Sequence, residues 1–376
     1  MNKYQRLKLR ILYCSQDYSP HDHRFLHALA NTDHETYWFR LEQSKNTLEK
    51  RDIPSTIHLV ENATQKTTRN WIDYGRLSQR FRKLVQSIEP DVIHAGPIQR
   101  VALLPALIGF HPLISMSWGF DLLQYAQQNI IWNAVTRFVL SRTDVFLADC
   151  QSVRKIAMKC GWNGEKTVIF PWGVDLEVFK PNREKFLRRM IGYEKDLLII
   201  HTRSWEERYG VDVALQGFYT AQKENPNMRM IMLSSGSLKP FVEQFIAKHE
   251  LQHHILLYGY QTNEQLAQYY QAADIYLSAS HVDGSSVALM EALACGCPAL
   301  VSDIPSNKEW VEDGKEGWLF KDDEPQELAA KLLYITNNRK RLSKNQSYAR
   351  KKAEQNADWS KNKEKLFMAY EMAVEN

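Results

Sequence analysis

Short apolar, β-prone runs alternate with helical patterns along almost the whole of this chain, and that alternation is the mark of parallel sheets joined by helical crossovers. The runs fall into two series. In the first, candidate strands lie at 9–15, 35–41, 56–61, 91–96, 113–118, 144–149 and 166–172, with helices such as 75–88 and 129–141 between the later ones. In the second they lie at 197–203, 229–236, 254–260, 274–280, 297–303 and 317–321. Between the two series, residues 176–193 are rich in charge and include Pro181, as expected of a linker leading into the first helix of a second domain. Beyond Pro325 the pattern is helical, and Leu366, Phe367, Tyr370 and Met372 put an apolar stripe on the last segment. The expected architecture is α/β, with two Rossmann-like domains at 1–180 and 181–355 facing across a cleft, and a helix at 356–376 able to return to the first domain.

Length and composition narrow the function classes. A chain of 376 residues is longer than one core usually serves, which agrees with two domains. A formal net charge of +4 is too small and too diffuse for a dedicated nucleic-acid binder, so no nucleic-acid partner is expected. Cys14, Cys150, Cys160, Cys295 and Cys297 are an odd number and widely scattered, which favours free thiols in a reducing, cytoplasmic setting. Cys295 and Cys297 have no second pair or histidine cluster beside them and read as structural; no metal site and no cofactor is expected. At the start, Lys3, Arg6, Lys8 and Arg10 precede an apolar run that passes directly into Ser15-Gln16-Asp17, the pattern of a first strand rather than a signal peptide. Residues 101–120 are apolar enough to suggest a membrane span, but Pro105, Gly109, His111 and Pro112 break them into a short helix and a buried strand.

The most informative stretch runs from Ser280 to Pro298, a strand end, a turn, a helix and a stop. Asp283 stands where a helix N-cap belongs, and Gly284, Ser285 and Ser286 leave a small-residue approach to the first-turn N–H groups, a place for a diphosphate. Glu291 lies eight residues beyond Asp283, a little over two helical turns, so both carboxylates are expected toward one edge of the cleft. Gly296 then ends the helix. An acidic cap followed by a surface glutamate would produce the same letters with no chemistry attached.

Two acids separated by seven residues ahead of a small-residue helix resemble the retaining glycosyltransferases of family four, which have the GT-B fold; Asp283 and Glu291 fill the two acid positions. Trp172-Gly-Val-Asp175 through Phe179 and Pro181 is similar to that family's interdomain signature, and Asp303 to Glu309 with Asp313 to Phe320 is similar to its closing loop and last strand. The resemblance implies sugar transfer from a UDP-linked sugar donor to a saccharide or lipid-linked saccharide, with retention and without a metal. It implies Glu291 on the ribose, Asp283 on the donor sugar, Gly284, Ser285, Ser286 and Val287 on the diphosphate, and Gly259 and Tyr260 beside the base. Arg203, after the first strand of the second domain, would meet the charge on the leaving group. This chain departs from the pattern in having Asp283 where glutamate is usual and Tyr209 where a lysine is usual, with Arg208 or Tyr209 left to serve in its place. Two other readings share the architecture: a sugar-nucleotide epimerase, and a donor-binding partner subunit without activity.

In the first domain, His21 and Arg24 follow the first strand, His94 the fourth, and Trp118 and Asp121 the fifth, so all five are candidates for the acceptor, against the plainer readings of solvated loop and core aromatic. The family often has a histidine where Trp118 stands and a glycine-rich turn where His21 to Arg24 stand. A lipid-linked acceptor would bring the protein to a bilayer from the inner face. Residues 75–88 carry Arg76, Arg80, Arg82 and Lys83 beside Leu77, Phe81, Leu84, Val85 and Ile88, a basic amphipathic helix suited either to anionic lipid or simply to its own sheet. Four basic side chains at about 1 kcal/mol each suffice for reversible attachment. Flotation with anionic liposomes should recover the protein at low salt and lose it at high salt; recovery independent of lipid charge, or none, leaves this helix as packing alone.

Overall fold

The computed structural model describes residues 8–42, 51–60, 71–182 and 186–375. Lys3, Arg6, the last residue of the third expected strand and residues 183–185 of the expected linker lie outside the described residues.

All thirteen expected strands form. The first seven are β1 (Arg10–Ser15), β2 (Glu35–Arg40), β3 (Ile57–Val60), β4 (Val92–Ala95), β5 (Leu113–Met116), β6 (Val145–Ala148) and β7 (Thr167–Ile169), in one parallel sheet of order β3-β2-β1-β4-β5-β6-β7. The other six are β8 (Leu197–His201), β9 (Met228–Leu233), β10 (Ile255–Tyr258), β11 (Ile275–Ser278), β12 (Ala299–Ser302) and β13 (Gly317–Phe320), in order β10-β9-β8-β11-β12-β13. Helices cover both faces of each sheet, so central strands such as β4, β8 and β11 are buried at every position and read as nearly continuous apolar runs. The strands end earlier than their apolar runs do because burial continues past the last ladder pair, as at Ala279 and Ser280 after β11.

The chain divides into two compact units, Met1–Phe170 with Lys363–Asn376, and Pro171–Asn362. In the second unit one core cluster packs the helices Val211–Glu224 and Pro325–Asn337 on one side of the sheet, and another packs Asn263–Ala272, Val287–Ala294 and Leu342–Asn356 on the other. The first two helices approach closely at Gly217, where a Cβ would stand 2.6 Å from Leu328 Cδ2. A short parallel bridge, with Val174 N–H donating to Ala357 O (2.7 Å) and Trp359 N–H to Val174 O (3.1 Å), starts the last helix, Trp359–Val374. From Lys363 onward that helix belongs to the first unit. Leu366 and Tyr370 are fully buried there, and Lys166 Nζ donates to Met372 O at 3.1 Å.

Two expectations about membranes concern particular segments. Residues 101–120 become the helix Leu103–Ile108 and strand β5, and among the described residues no helix is long and apolar enough to cross a membrane. The basic helix, which spans Trp71–Ile88, turns Leu77, Phe81, Val85 and Ile88 into its own core and leaves Arg76, Arg80, Arg82 and Lys83 exposed. Its apolar stripe is therefore spent on packing, and only the row of cations remains for a lipid surface.

A buried polar contact joins the terminal helix to the first core. Tyr370 hydroxyl and His94 Nδ1 lie 2.7 Å apart with both residues out of solvent, and burial lowers the imidazole pKa to about 3, so His94 is neutral. Tyr370→Phe should leave a buried ring nitrogen unsatisfied and cost about 1–3 kcal/mol, read as a lower denaturant midpoint for the first unit. An unshifted midpoint means that the hydroxyl is not part of what holds this helix.

Candidate active site

The second sheet reverses its winding between β8 and β11, and loops at the carboxyl edge on either side of such a switch point are where open α/β sheets bind ligands. Arg203 follows β8, and the loop to helix Val287–Ala294 follows β11. Gly210, at φ +56°, lets the two loops touch: a Cβ there would stand 2.1 Å from Ala279 O. His281 N–H donates to Arg208 O at 3.0 Å, tying the same two segments once more.

At this junction Arg203 Nη2 pairs with Asp283 Oδ2 at 2.7 Å, and Nη1 donates to Ser286 Oγ at 3.2 Å. Both charged side chains are largely withdrawn from solvent, at 13% and 15% exposure. Burial works against the Arg203 charge, but Asp283 together with Tyr209, Tyr276 and Tyr270 outweighs it, so the guanidinium is held firmly protonated. Burial pushes the Asp283 carboxyl up, while Arg203, Ser286 and the Gly284 N–H pull it back. The guanidinium also lies 4.0 Å from the Tyr209 ring centroid, and the Arg208 guanidinium lies 6.0 Å from the same ring. The position where a lysine was expected thus carries a platform under Arg203.

Asp283 is not the helix N-cap. Ser286 is: its extended backbone (φ −60°, ψ 118°) and its Oγ, which accepts from Leu289 N–H at 3.4 Å, occupy that role, and Asp283 stands three residues earlier, turned to Arg203. The helical spacing argument for Asp283 and Glu291 therefore fails, because only Glu291 is on the helix. What links the two acids is tertiary. Tyr270 hydroxyl, on helix Asn263–Ala272, donates to Glu291 Oε2 at 3.2 Å and lies 2.9 Å from Thr202 Oγ1, next in the chain to Arg203. Ser285 accepts from Trp310 Nε1 at 2.8 Å, which fixes the loop backbone ahead of the cap and turns this hydroxyl to a structural task. By helix geometry the N–H groups of Val287 and Ala288 lead out of the helix end beside Ser286. The Schellman ending is complete, with Cys297 N–H donating to Ala292 O (2.8 Å) and Gly296 N–H to Leu293 O (2.9 Å) at Gly296 φ +70°. Gly259 and Tyr260 follow edge strand β10, two strands from β8, and Tyr260 is exposed.

In the first unit the five acceptor candidates separate. His94 is inside β4, enclosed by Tyr13, Phe25 and Tyr370, and serves the core rather than a ligand. Asp121 is equally buried: its carboxylate accepts from Ile98 N–H, Ser117 Oγ, Trp118 N–H and Leu122 N–H, so it braces the loops after β4 and β5 and is removed from the acceptor set. His21 and Arg24 are not in a loop. They lie in the first turn and a half of helix Pro20–Ala30, which Ser19 and Asp22 close with a capping box. His21 and the half-buried Trp118 bring their rings to 5.1 Å. Sequence reasoning missed Tyr270, Thr202 and Trp310, whose roles depend on contacts between distant segments and leave no local signal.

Two parallel-sheet Rossmann-like units in one chain, the second with an arginine, two carboxylates and a helix N-terminus at its switch point, define the GT-B class. Residues 182–352 match the family model of the glycosyl transferases group 1, and residues 10–151 match the Glycosyl transferase 4-like model. It is 30% identical to the alpha-monoglucosyldiacylglycerol synthase of Acholeplasma laidlawii over 183 residues, 47% of this chain and 45% of that protein. It is 28% identical to the amylovoran biosynthesis glycosyltransferase AmsK of Erwinia amylovora over 187 residues, 48% of this chain and 44% of that protein. The chain thus spans somewhat under half the length of these curated relatives. The crystal structure of Anabaena HepE in complex with UDP superposes with a TM-score of 0.78 over 96% of this chain and 100% of that one, at 18% identity, a likeness of fold.

The Arg203–Asp283 pair is expected to be energetically coupled. Arg203→Ala should cost about 3–5 kcal/mol of stability because it strands a buried carboxylate. Adding Asp283→Ala should cost less than the sum of the single changes, by about 1–3 kcal/mol in denaturant unfolding. Strict additivity means that the two groups do not act on each other.

Proposed function

We propose that this protein is a retaining, metal-independent hexosyltransferase that moves a sugar from a UDP-linked donor to a saccharide or lipid-linked saccharide during glycan biosynthesis. The observation that carries the reading is the cluster at the second switch point: a fixed, charged Arg203 held by Asp283 and Ser286, beside a helix N-terminus and a buried Glu291. In it Arg203 and the N–H groups after Ser286 meet the charge that grows on the departing diphosphate, which gives the leaving group a resident cation without a metal. Glu291 takes the ribose hydroxyls and Asp283 a hydroxyl of the donor sugar. Tyr260 lies toward the base. Of the acceptor candidates, His21, Arg24 and Trp118 remain. HepE, solved with UDP and with UDP-glucose, supports a uridine nucleotide, and relatives named for a glucosylated diacylglycerol and for amylovoran biosynthesis support a glycan or glycolipid product. Five buried, free cysteines fit the reducing conditions of the cytoplasm, at or near its membrane.

UDP-hexoses incubated with the protein and a panel of saccharide and lipid-linked acceptors should release UDP only with donor and acceptor together. A sugar altered with donor alone identifies an epimerase, and donor binding without turnover on any acceptor identifies the partner subunit that Tyr209 in place of lysine would suit. Glu291→Ala should weaken donor binding roughly ten- to hundredfold, the loss of a charge-assisted hydrogen bond of about 1.5–3 kcal/mol. Arg203→Ala should lower turnover more than donor affinity, because the charge it meets develops during bond breaking. Unchanged affinity in the first variant or unchanged turnover in the second removes that residue from the site.

A further inference from the structure

We propose that His23, His27 and Asp52 form a site for one divalent transition-metal ion of the zinc class, which pins the segment before β3 to helix Pro20–Ala30. His23 and His27 are four residues apart on that helix and therefore share a face, with ring centroids 4.1 Å apart. Asp52, exposed in the segment before β3, places Oδ1 3.4 Å from His23 Nε2 and Oδ2 3.4 Å from His27 Nε2. One ligand atom from each residue falls within 4.8 Å of the others.

The spacing points to coordination rather than to a salt bridge. A tetrahedral ion with bonds of about 2.0–2.1 Å sets its ligand atoms about 3.3 Å apart along each edge. Charge-assisted imidazolium–carboxylate bonds close instead to about 2.7–2.9 Å. Each histidine lies near the first value from its own carboxylate oxygen, His23 from Oδ1 and His27 from Oδ2, so the carboxylate spans both rings. His27 Nε2 is shut off from solvent and takes part in no hydrogen bond among the described residues, so its ring nitrogen faces the carboxylate without a proton-sharing partner. Asp52 is itself held in place, since Tyr18 hydroxyl donates to its backbone carbonyl at 2.5 Å while the Tyr18 ring packs on Trp38 (4.9 Å) and toward His23 (6.1 Å). Outer contacts of this kind orient the ligands of metal sites. Two imidazoles and one carboxylate select zinc, cobalt, nickel or copper over magnesium and calcium, and leave a fourth position for water.

The role is structural. His23 lies two positions beyond His21, about 200° around the helix, so the ion sits away from the face on which His21 meets Trp118. The site is independent of the proposed transfer reaction and of its donor cluster, which is in the other unit.

The test uses the untagged, metal-stripped full chain titrated with Zn²⁺ by calorimetry and with Co²⁺ by visible absorption. Saturable binding of one equivalent is expected, with the intense bands of low-symmetry Co²⁺ and a rise in melting temperature on adding Zn²⁺. His23→Gln, His27→Gln and Asp52→Asn should each weaken binding at least tenfold and abolish the thermal rise. His111→Ala, which removes a histidine paired with Asp144, should bind as the parent does. Absence of saturable binding by the parent, or parent-like affinity in any of the three ligand variants, overturns the proposal. Should a variant fail to fold, the Co²⁺ spectrum of the parent decides: a six-coordinate spectrum with weak bands also overturns it.

Discussion

The reversal of strand order between β8 and β11 governs the second unit. Parallel strands need a helical crossover between each pair, and crossovers of one hand send the helices to one face when the chain winds outward one way and to the other face when it winds back. Where the direction changes, the two strands leave toward opposite faces, and the crevice at their carboxyl ends is covered by neither helix. Arg203 stands at the end of one strand and the Asp283 to Ser286 loop at the end of the other, so a pair of opposite charges can form there without any single segment encoding it.

That pair is more than a bond between two loops. Inside the protein an arginine loses hydration and must recover it from fixed groups, and here it does so from a carboxylate, a hydroxyl and the face of Tyr209. Each constrains a different degree of freedom. Asp283 and Ser286 fix the plane of the guanidinium at its two outer nitrogens, and the ring fixes its height. A lysine at the Tyr209 position would add charge but supply no such surface, so the two solutions trade a second cation for a more rigid first one.

Much of this was legible in the sequence, and the failures have specific causes. The thirteen strands were readable because strands covered on both faces are apolar throughout. The same continuity hid their ends; His94 falls inside the strand expected over 91–96 as it does inside β4, so its place among the strand-tip residues was not supported by the pattern itself. Asp283 was read as a cap because aspartate is a good cap, yet Ser286, equally good, lies closer to the first helical residue. His21 to Arg24 were read as a loop although Ser19, Pro20 and Asp22 spell a helix start, a cap, a proline at the first position and the reciprocal acid. Missing that helix also concealed the four-residue interval between His23 and His27, which has meaning only on a helical face. Glu291 was found by motif, whereas Tyr270, which orients it, comes from another helix and could be known only from the folded chain.

The return of the last helix to the first unit makes that unit discontinuous in sequence. Residues 8–170 contain its whole sheet, yet the buried Leu366 and Phe367, and Tyr370, which meets His94, come from beyond the entire second unit. During synthesis the first seven strands are therefore made long before the piece that seals them, and the neutral imidazole of His94 has no tyrosine to meet until residue 370 has left the ribosome. The second unit, whose strands and helices are contiguous from Pro171 to Asn362, is complete first. Order of birth and order of completion are thus inverted, and the N-terminal half must persist unsealed while the C-terminal half matures.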